Sequence, residues 1–496
     1  MRSPLKILYV ASEVAPFAKT GGLADVAAAL PKALQELGHD IRVMMPKYGC
    51  INDRKYVLRE VIRLREIPVE LGGERLVGSV KSAFIPDTKV QVYFLDYPPF
   101  FGRQELYTDP KTGKDWPDNA ERFTFFCKGV LETLKLLHWQ PHVIHCNDWH
   151  TGLIPILLKT VYSHERLFAK TATLFSIHNL AYQGVFPKAK FAVTGLPQEL
   201  LRSQDGVEFY GKFSFMKAGI VSADAIATVS ERYAEEITSD PELGCGLQEE
   251  LRARKDVLFG ILNGIDDTVW NPKSDRLIVK NYSAADLAGK AENKKALVEE
   301  LGLPYRPEVP VIGMISRLAD QKGFDLLEEA LPELMAKELQ FVLLGTGAPK
   351  YHKLFTKLAK RYPKKVSVAL RFDDRLAHQI EAGADMFLMP SRYEPCGLNQ
   401  MYSLVYGTIP IVRATGGLAD TITEFDRARC TGNGFVFSEY SAAALLQAVE
   451  RALAVWADQK IWVRLVKSAM RSNFSWKNSA SKYVRLYARL EAAKRK

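Results

Sequence analysis

An alternation that runs twice through the 496-residue chain constrains it most: short apolar runs of strand length, each followed by a polar loop. Ile7 to Ala11 opens the first series, Leu23 to Leu37 carries helical spacing, Gly38 turns the chain, and Ile41 to Pro46 is the next strand. Strand, loop, helix, turn and strand make a βαβ unit, which requires a parallel sheet with helices on its faces. Val143 to Cys146, Thr173 to Ile177 and Ala225 to Val229 continue the series. A second series begins near residue 310 with Val311 to Ile315, Gln340 to Leu344, Met386 to Met389 and Ile409 to Val412.

So long a chain exceeds one compact core and suits two domains. Residues 271 to 306 are polar and poor in strand formers, which places the boundary at 255 to 265. The expected division is 1–258, 259–474 and an amphipathic helix from 475 to 496 that crosses back to the first domain (Tyr483, Leu486, Tyr487, Leu490). The fold class is therefore α/β, two doubly wound Rossmann-like domains facing an interdomain cleft.

Composition excludes several classes. With 47% apolar and 25% charged residues the chain is neither disordered nor a coiled-coil rod. No apolar run is long enough to span a membrane. The formal charge of +10 comes from 67 basic against 57 acidic residues, with no basic tract before Lys494-Arg495-Lys496. A basic cleft for a small anion fits that balance at least as well as nucleic acid, for which no basic stripe or arm is visible. Six cysteines without a CxxC pair suit a reducing compartment. After Arg2 and Lys6 the apolar run is too short for a secretory leader and reads as a buried strand. Cytosol is expected, or the stroma of a plastid if a transit peptide has been removed.

One hexapeptide occurs twice: Thr20-Gly21-Gly22-Leu23-Ala24-Asp25 and Thr415-Gly416-Gly417-Leu418-Ala419-Asp420. Gly-Gly between a strand and a helix lets backbone N–H groups approach an anion at the helix N-terminus. A single such pair is more often a tight turn that binds nothing. Two copies, one after Lys19 and one after Arg413, favour anion cradles. Two other phosphate motifs fail: Phe213 stands where a P-loop needs Ser or Thr, and Lys350 replaces the third glycine after Gly345-Thr346-Gly347.

His142, His145, Cys146, Asp148 and His150 are dense, but strand alternation sends neighbours to opposite faces, so no metal site is expected from them. Asp148 instead falls at the carboxyl end of a strand, where doubly wound sheets place ligands. His178 and Asn179 hold the equivalent place after another strand, where a lone His could equally be structural. Arg317 and Lys322 follow the first strand of the second series and could neutralise a diphosphate without a metal, or could be two solvated cations. Glu394 follows Met386 to Met389 and could accept hydrogen bonds from sugar hydroxyls, whereas Cys396 has no base assigned to it and reads as packing.

Lys19-Thr20-Gly21-Gly22-Leu23, Asn147-Asp148-Trp149-His150, His178-Asn179, Asn263-Gly264-Ile265-Asp266, Ser316-Arg317 with Gln321-Lys322-Gly323, Glu394-Pro395-Cys396-Gly397 and Thr415-Gly416-Gly417-Leu418 occur in one order. Together they closely resemble the bacterial glycogen synthase and plant starch synthase family, glycosyltransferase family 5, over nearly the whole chain. The resemblance implies a GT-B fold, with the acceptor and KTGGL loop on the first domain and the nucleotide sugar on the second. It implies retaining transfer of glucose, usually from ADP-glucose, to the non-reducing 4-OH end of an α-1,4-glucan such as glycogen, starch or a maltooligosaccharide.

By the same resemblance, Lys19, Gly21 and Gly22 meet the donor phosphates, and Arg317 and Lys322 stabilise the leaving diphosphate. Glu394 holds the glucose hydroxyls. The amides of Thr415, Gly416 and Gly417 bind diphosphate or glucose. His178 lies at the anomeric centre, and Asp148, Asn179 and Asp25 line the sugar pocket. No metal or other cofactor is expected. Many retaining relatives carry a second Glu eight positions after the first; this chain has Tyr402 there, which leaves the base preference open between ADP-glucose and UDP-glucose. An inactive glucan-binding relative, a glucan phosphorylase and a Rossmann-type oxidoreductase are the competing readings. Lys19, Arg317, Lys322 and Glu394 together speak against the first, the KTGGL and EPCGL pair against the second, and the broken glycine fingerprint against the third.

Overall fold

The computed structural model describes residues 4–495; Arg2 and Lys496, read above as parts of the two termini, lie outside them. The chain divides into two compact units. Of the described residues, the first comprises 4–229, 234–264 and 476–495; the second comprises 230–233 and 265–475. The division thus falls after Gly264 rather than Leu258, and residues 230–233 group with the second unit.

In the first unit, strands Leu258–Gly260, Ala225–Thr228, Ala172–Ile177, Val143–Asn147, Lys6–Val10, Asp40–Pro46 and Gln91–Asp96 lie side by side in that order. All of these pairings are parallel. The first strand in sequence is thus central, and the order reverses beside it. Lys6–Val10 and Val143–Asn147 flank the switch point, where the loops after the two strands separate and leave a crevice for a ligand.

An antiparallel extension was not foreseen. Glu74–Phe84 pairs with Gln91–Asp96, and Ile67–Leu71 and Arg59–Glu60 pair with Glu74–Phe84. The signal lay in the sequence: the buried Ile67, Val69 and Leu71 alternate with half-buried Pro68 and exposed Glu70 and stop at Gly72-Gly73, both with positive φ, which is a two-residue hairpin turn.

The helix Trp476–Arg495 belongs to the first unit and buries Tyr483, Leu486, Tyr487 and Leu490. It packs on the helix Gly22–Glu36 and on strands Val143–Asn147 and Ala172–Ile177.

In the second unit the order is Val366–Ala369, Gln340–Leu344, Val311–Ile315, Met386–Met389, Ile409–Arg413, Phe435–Phe437, all parallel. Strand alternation divides its core. Ile312, Met314, Phe341 and Leu343 face one helix layer, while Val311, Val342 and Leu344 face the other. The apolar runs carry no polar alternation because both faces of the sheet are covered. The switch point lies between Val311–Ile315 and Met386–Met389. Residues 271 to 306 hold the helix Ala288–Glu300 and no strand. No helix among the described residues is long and apolar enough to cross a membrane.

Candidate active site

Each unit carries its share of the predicted residues at the carboxyl end of its sheet. In the first, the loop after Lys6–Val10 bears Glu13, Lys19 and the first Thr-Gly-Gly. The Glu13 carboxylate, 4% exposed, accepts the N–H groups of Thr20 and Gly21 and the Thr20 hydroxyl, the last at 2.6 Å. The Tyr107 hydroxyl donates to the same carboxylate at 2.7 Å. The Gly21 amide, expected to face phosphate, is therefore occupied by a carboxylate of the chain itself. Gly22 begins the helix Gly22–Glu36, and Lys19 Nζ lies 2.8 Å from Asp25 Oδ1 on the surface.

Across the switch point, Asp148 follows Val143–Asn147 with φ of 54°, a strained backbone for a residue other than glycine. Its buried Oδ1 accepts the N–H of His178 at 2.7 Å, with the N–H of Asn179 at 3.5 Å. Burial pushes the Asp148 carboxyl up to about 7, partly offset by those amides, and burial lowers the His178 imidazole to about 4. At neutral pH the histidine is uncharged and the aspartate is poised between forms. Asp148, His178 and Asn179 are thus brought together by two backbone hydrogen bonds.

The dense histidine segment disperses as strand alternation requires. Both ring nitrogens of His145 are engaged, Nδ1 with the Tyr487 hydroxyl at 2.7 Å and Nε2 with Ser176 Oγ at 2.6 Å. His142 Nδ1 accepts the N–H of Lys6, and the His150 ring stacks on Trp149.

In the second unit, Arg317, Lys322, Ser391 and Glu394 line a pocket of about 190 Å³ beside the switch point. Lys322 Nζ is 2.5 Å from Glu394 Oε2, which also accepts the Ser391 hydroxyl at 3.2 Å. The Glu394 side chain is only 8% exposed. Arg317 is exposed and donates to Gln321 Oε1 at 3.2 Å.

The second Thr-Gly-Gly folds against that carboxylate's own backbone. The N–H of Gly417 points to the carbonyls of Glu394 and Pro395, and the N–H of Thr415 to that of Arg413. A Cβ at Gly416 would stand 2.0 Å from the Glu394 carbonyl oxygen, and one at Gly417 1.9 Å from that of Cys396. Only glycine permits so close an approach. Asp420 accepts the N–H groups of Glu231 and Arg232, where Asp25 of the first copy pairs with Lys19.

Tyr402 is buried and stacks on Trp270 at 3.9 Å, which in turn stacks on His378 at 3.8 Å. An aromatic ring packed into the unit thus fills position 402. Sequence reasoning gave no role to Glu13, Tyr107 or Asn147. Their only signal was placement in, or packing against, the segments that follow the two switch-point strands.

Residues 6–253 match the family described as starch synthase catalytic domain, and 302–467 match glycosyl transferases group 1. Glycogen synthase 2 of Geobacter sulfurreducens is 49% identical over 483 residues, 97% of this chain and 98% of that one. The chain belongs to the glycogen and starch synthase family. A glycogen synthase of Anaeromyxobacter sp. is 47% identical, covering 98% of this chain and 100% of its own. The catalytic domain of starch synthase IV from Arabidopsis thaliana, solved bound to ADP and acarbose, superposes with a TM-score of 0.90 at 34% identity, covering 99% of this chain and 100% of that one. Sucrose-phosphate synthase from Thermosynechococcus elongatus shares the fold alone, with a TM-score of 0.60 at 19% identity over 99% and 100% of the two chains. The fold is GT-B, and this member of the glycogen and starch synthase family is a glucosyltransferase of the glucan-elongating type.

Proposed function

We propose that the chain transfers glucose from ADP-glucose to the non-reducing 4-OH end of an α-1,4-glucan (glycogen, a starch-like polymer or a maltooligosaccharide), with retention at the anomeric carbon. The observation that carries this reading is the convergence of Arg317, Lys322 and Glu394 on one pocket at the second switch point. Two cations answer the charge of a departing diphosphate, and a carboxylate among them answers sugar hydroxyls. The likeness to a starch synthase solved with ADP supports adenine as the base.

In this reading Lys322 leaves Glu394 for the diphosphate when donor binds, freeing the carboxylate for glucose hydroxyls. Lys19 adds a further cation from the first unit, and the loop of Thr415, Gly416 and Gly417 shapes the glucose side. Neutral His178 steadies positive character at C1, with Asp148, Asn179 and Asp25 around the sugar. Attack comes on the face the diphosphate leaves: the C1–O bond to phosphate breaks, the C1–O bond to the acceptor forms, and the phosphate oxygen takes the acceptor proton. No side chain is a nucleophile and no metal is required, since the side-chain cations supply the charge. The enzyme works in the cytosol, or in a plastid stroma.

Glycogen with either ADP-glucose or UDP-glucose tests this, reading nucleotide release and glucose incorporation together. Matched signals with ADP-glucose are expected. Matched signals with UDP-glucose alone overturn the donor, and silence with both in folded protein overturns the activity.

A further inference from the structure

We infer that Asn147 is a positioning residue for His178, holding its imidazole in the form that carries its proton on Nε2. Asn147 ends the strand Val143–Asn147 and is fully buried. Its Nδ2 donates to the carbonyl oxygens of Val10 at 3.0 Å and His145 at 3.2 Å. Both partners only accept, so the orientation of the carboxamide is fixed. Its oxygen then faces the other way, where it accepts the hydroxyl of buried Tyr9 at 2.9 Å and lies 2.8 Å from His178 Nε2. An amide oxygen has no proton to give. The hydrogen in the second contact must therefore belong to Nε2, and in a neutral ring Nδ1 is left with a lone pair.

The groups around the ring leave it neutral. Asp148 binds the backbone N–H of His178, and burial keeps its carboxyl largely protonated below pH 7. Glu13 interacts electrostatically with Asp148, and the Glu13 charge is taken up by Thr20, Gly21 and Tyr107. His145 is held neutral by burial and by the proximity of His178. The Tyr9 phenol is kept protonated by the same burial. Among the described residues, Asn147 is thus the polar side chain that hydrogen-bonds the imidazole and sets which edge accepts. Given the reading of His178 as a residue of the sugar site, Asn147 ensures that it meets substrate as an acceptor, without a proton to donate there.

The test labels the nine histidines of the full chain with 15N and observes His178, assigned by loss of its signal in His178→Gln. The wild type should show a neutral ring protonated at Nε2 through pH 6 to 8; a ring protonated at Nδ1 overturns the inference, and this measurement needs no variant at Asn147. Asn147→Asp places a carboxylate against Nε2–H and should move the His178 titration up by at least one pH unit. In that variant kcat/KM, relative to wild type, should fall about twofold from pH 8 to pH 5, where a titration raised by one unit from about 4 reaches its midpoint and half the rings carry a proton on Nδ1. An unmoved titration in folded Asn147→Asp overturns the inference whatever the rate. A moved titration with an unchanged rate ratio upholds the positioning and instead removes His178 from the sugar site.

Discussion

Lys322 Nζ stands 2.5 Å from Glu394 Oε2, joining the loop after the first strand of the second sheet to the loop after the fourth. The two residues are far apart in sequence and were assigned opposite tasks, one to phosphate and one to sugar. Paired, they neutralise a nearly buried carboxylate until a stronger partner for the lysine arrives.

Lys322→Ala is therefore expected to lower kcat/KM about 100-fold or more, the usual loss when one donor to developing charge is removed. Loss of a pair this well enclosed also costs stability, but Ser391 still donates to Glu394, so the fold persists. Initial rates against donor concentration, alongside a thermal melt, check this. Equal kcat/KM in folded variant and wild type rejects the role.

The repeated Thr-Gly-Gly gives a paired test. Gly417→Ala drives a Cβ to 1.9 Å from the Cys396 carbonyl oxygen and should cost more than about 2 kcal/mol, or displace the loop. Gly21→Ala meets nothing within 4 Å and has ordinary extended φ, so its cost should stay within about 0.5 kcal/mol. Denaturant melts of the two variants decide it. Similar losses would mean that the loops are constrained alike.

Asp148 predicts a pH dependence of stability. Its folded carboxyl, raised to about 7 from an ordinary 3.8, binds its proton more tightly than the unfolded one. The stability it supplies is full below the unfolded value and declines as pH rises through about 7, by at most ~1.4 kcal/mol per pH unit. Asp148→Asn removes that decline, so its stability relative to wild type should climb between pH 4 and pH 7 and level off above. Urea melts at unit pH intervals measure it; a difference that does not vary with pH would place the carboxyl in its ordinary range.

Excess EDTA should leave the initial rate with glucan and donor within about twofold, because Arg317 and Lys322 supply the positive charge that a metal would otherwise bring. Abolished activity restored by Mg²⁺ or Mn²⁺ would show that those side chains do not suffice.

Most strands of both parallel sheets were legible almost to the residue, since strands buried on both faces must be continuous apolar runs, but Gln91–Asp96, Leu258–Gly260, Val366–Ala369 and Phe435–Phe437 were not read. Val311–Ile315, Gln340–Leu344 and Met386–Met389 start and stop where the apolar runs do. The Ile67–Leu71 and Glu74–Phe84 hairpin was missed because partly exposed strands mix polar and apolar residues, and a short alternation ending at Gly72-Gly73 is a weaker mark than a continuous apolar run. Among site residues, those in loops after switch-point strands could be singled out by position. Glu13 and Asn147 could not be ranked, because a carboxylate or amide at a strand end has no meaning until its partners are known.

The hexapeptide Thr-Gly-Gly-Leu-Ala-Asp shows where the two kinds of information part. Sequence alone determined that each copy lies between a strand and a helix, because local apolar spacing and paired glycines specify that much. Tertiary structure decided what each copy does there. The amides of Thr20 and Gly21 go to Glu13, and Asp25 pairs with Lys19. The amide of Gly417 goes to Glu394 and Pro395, and Asp420 accepts the N–H groups of Glu231 and Arg232. Identical residues acquire different partners because the first copy folds onto Glu13 of its own loop, while the second meets the loop after the neighbouring strand Met386–Met389, which only the sheet order of the whole unit brings alongside.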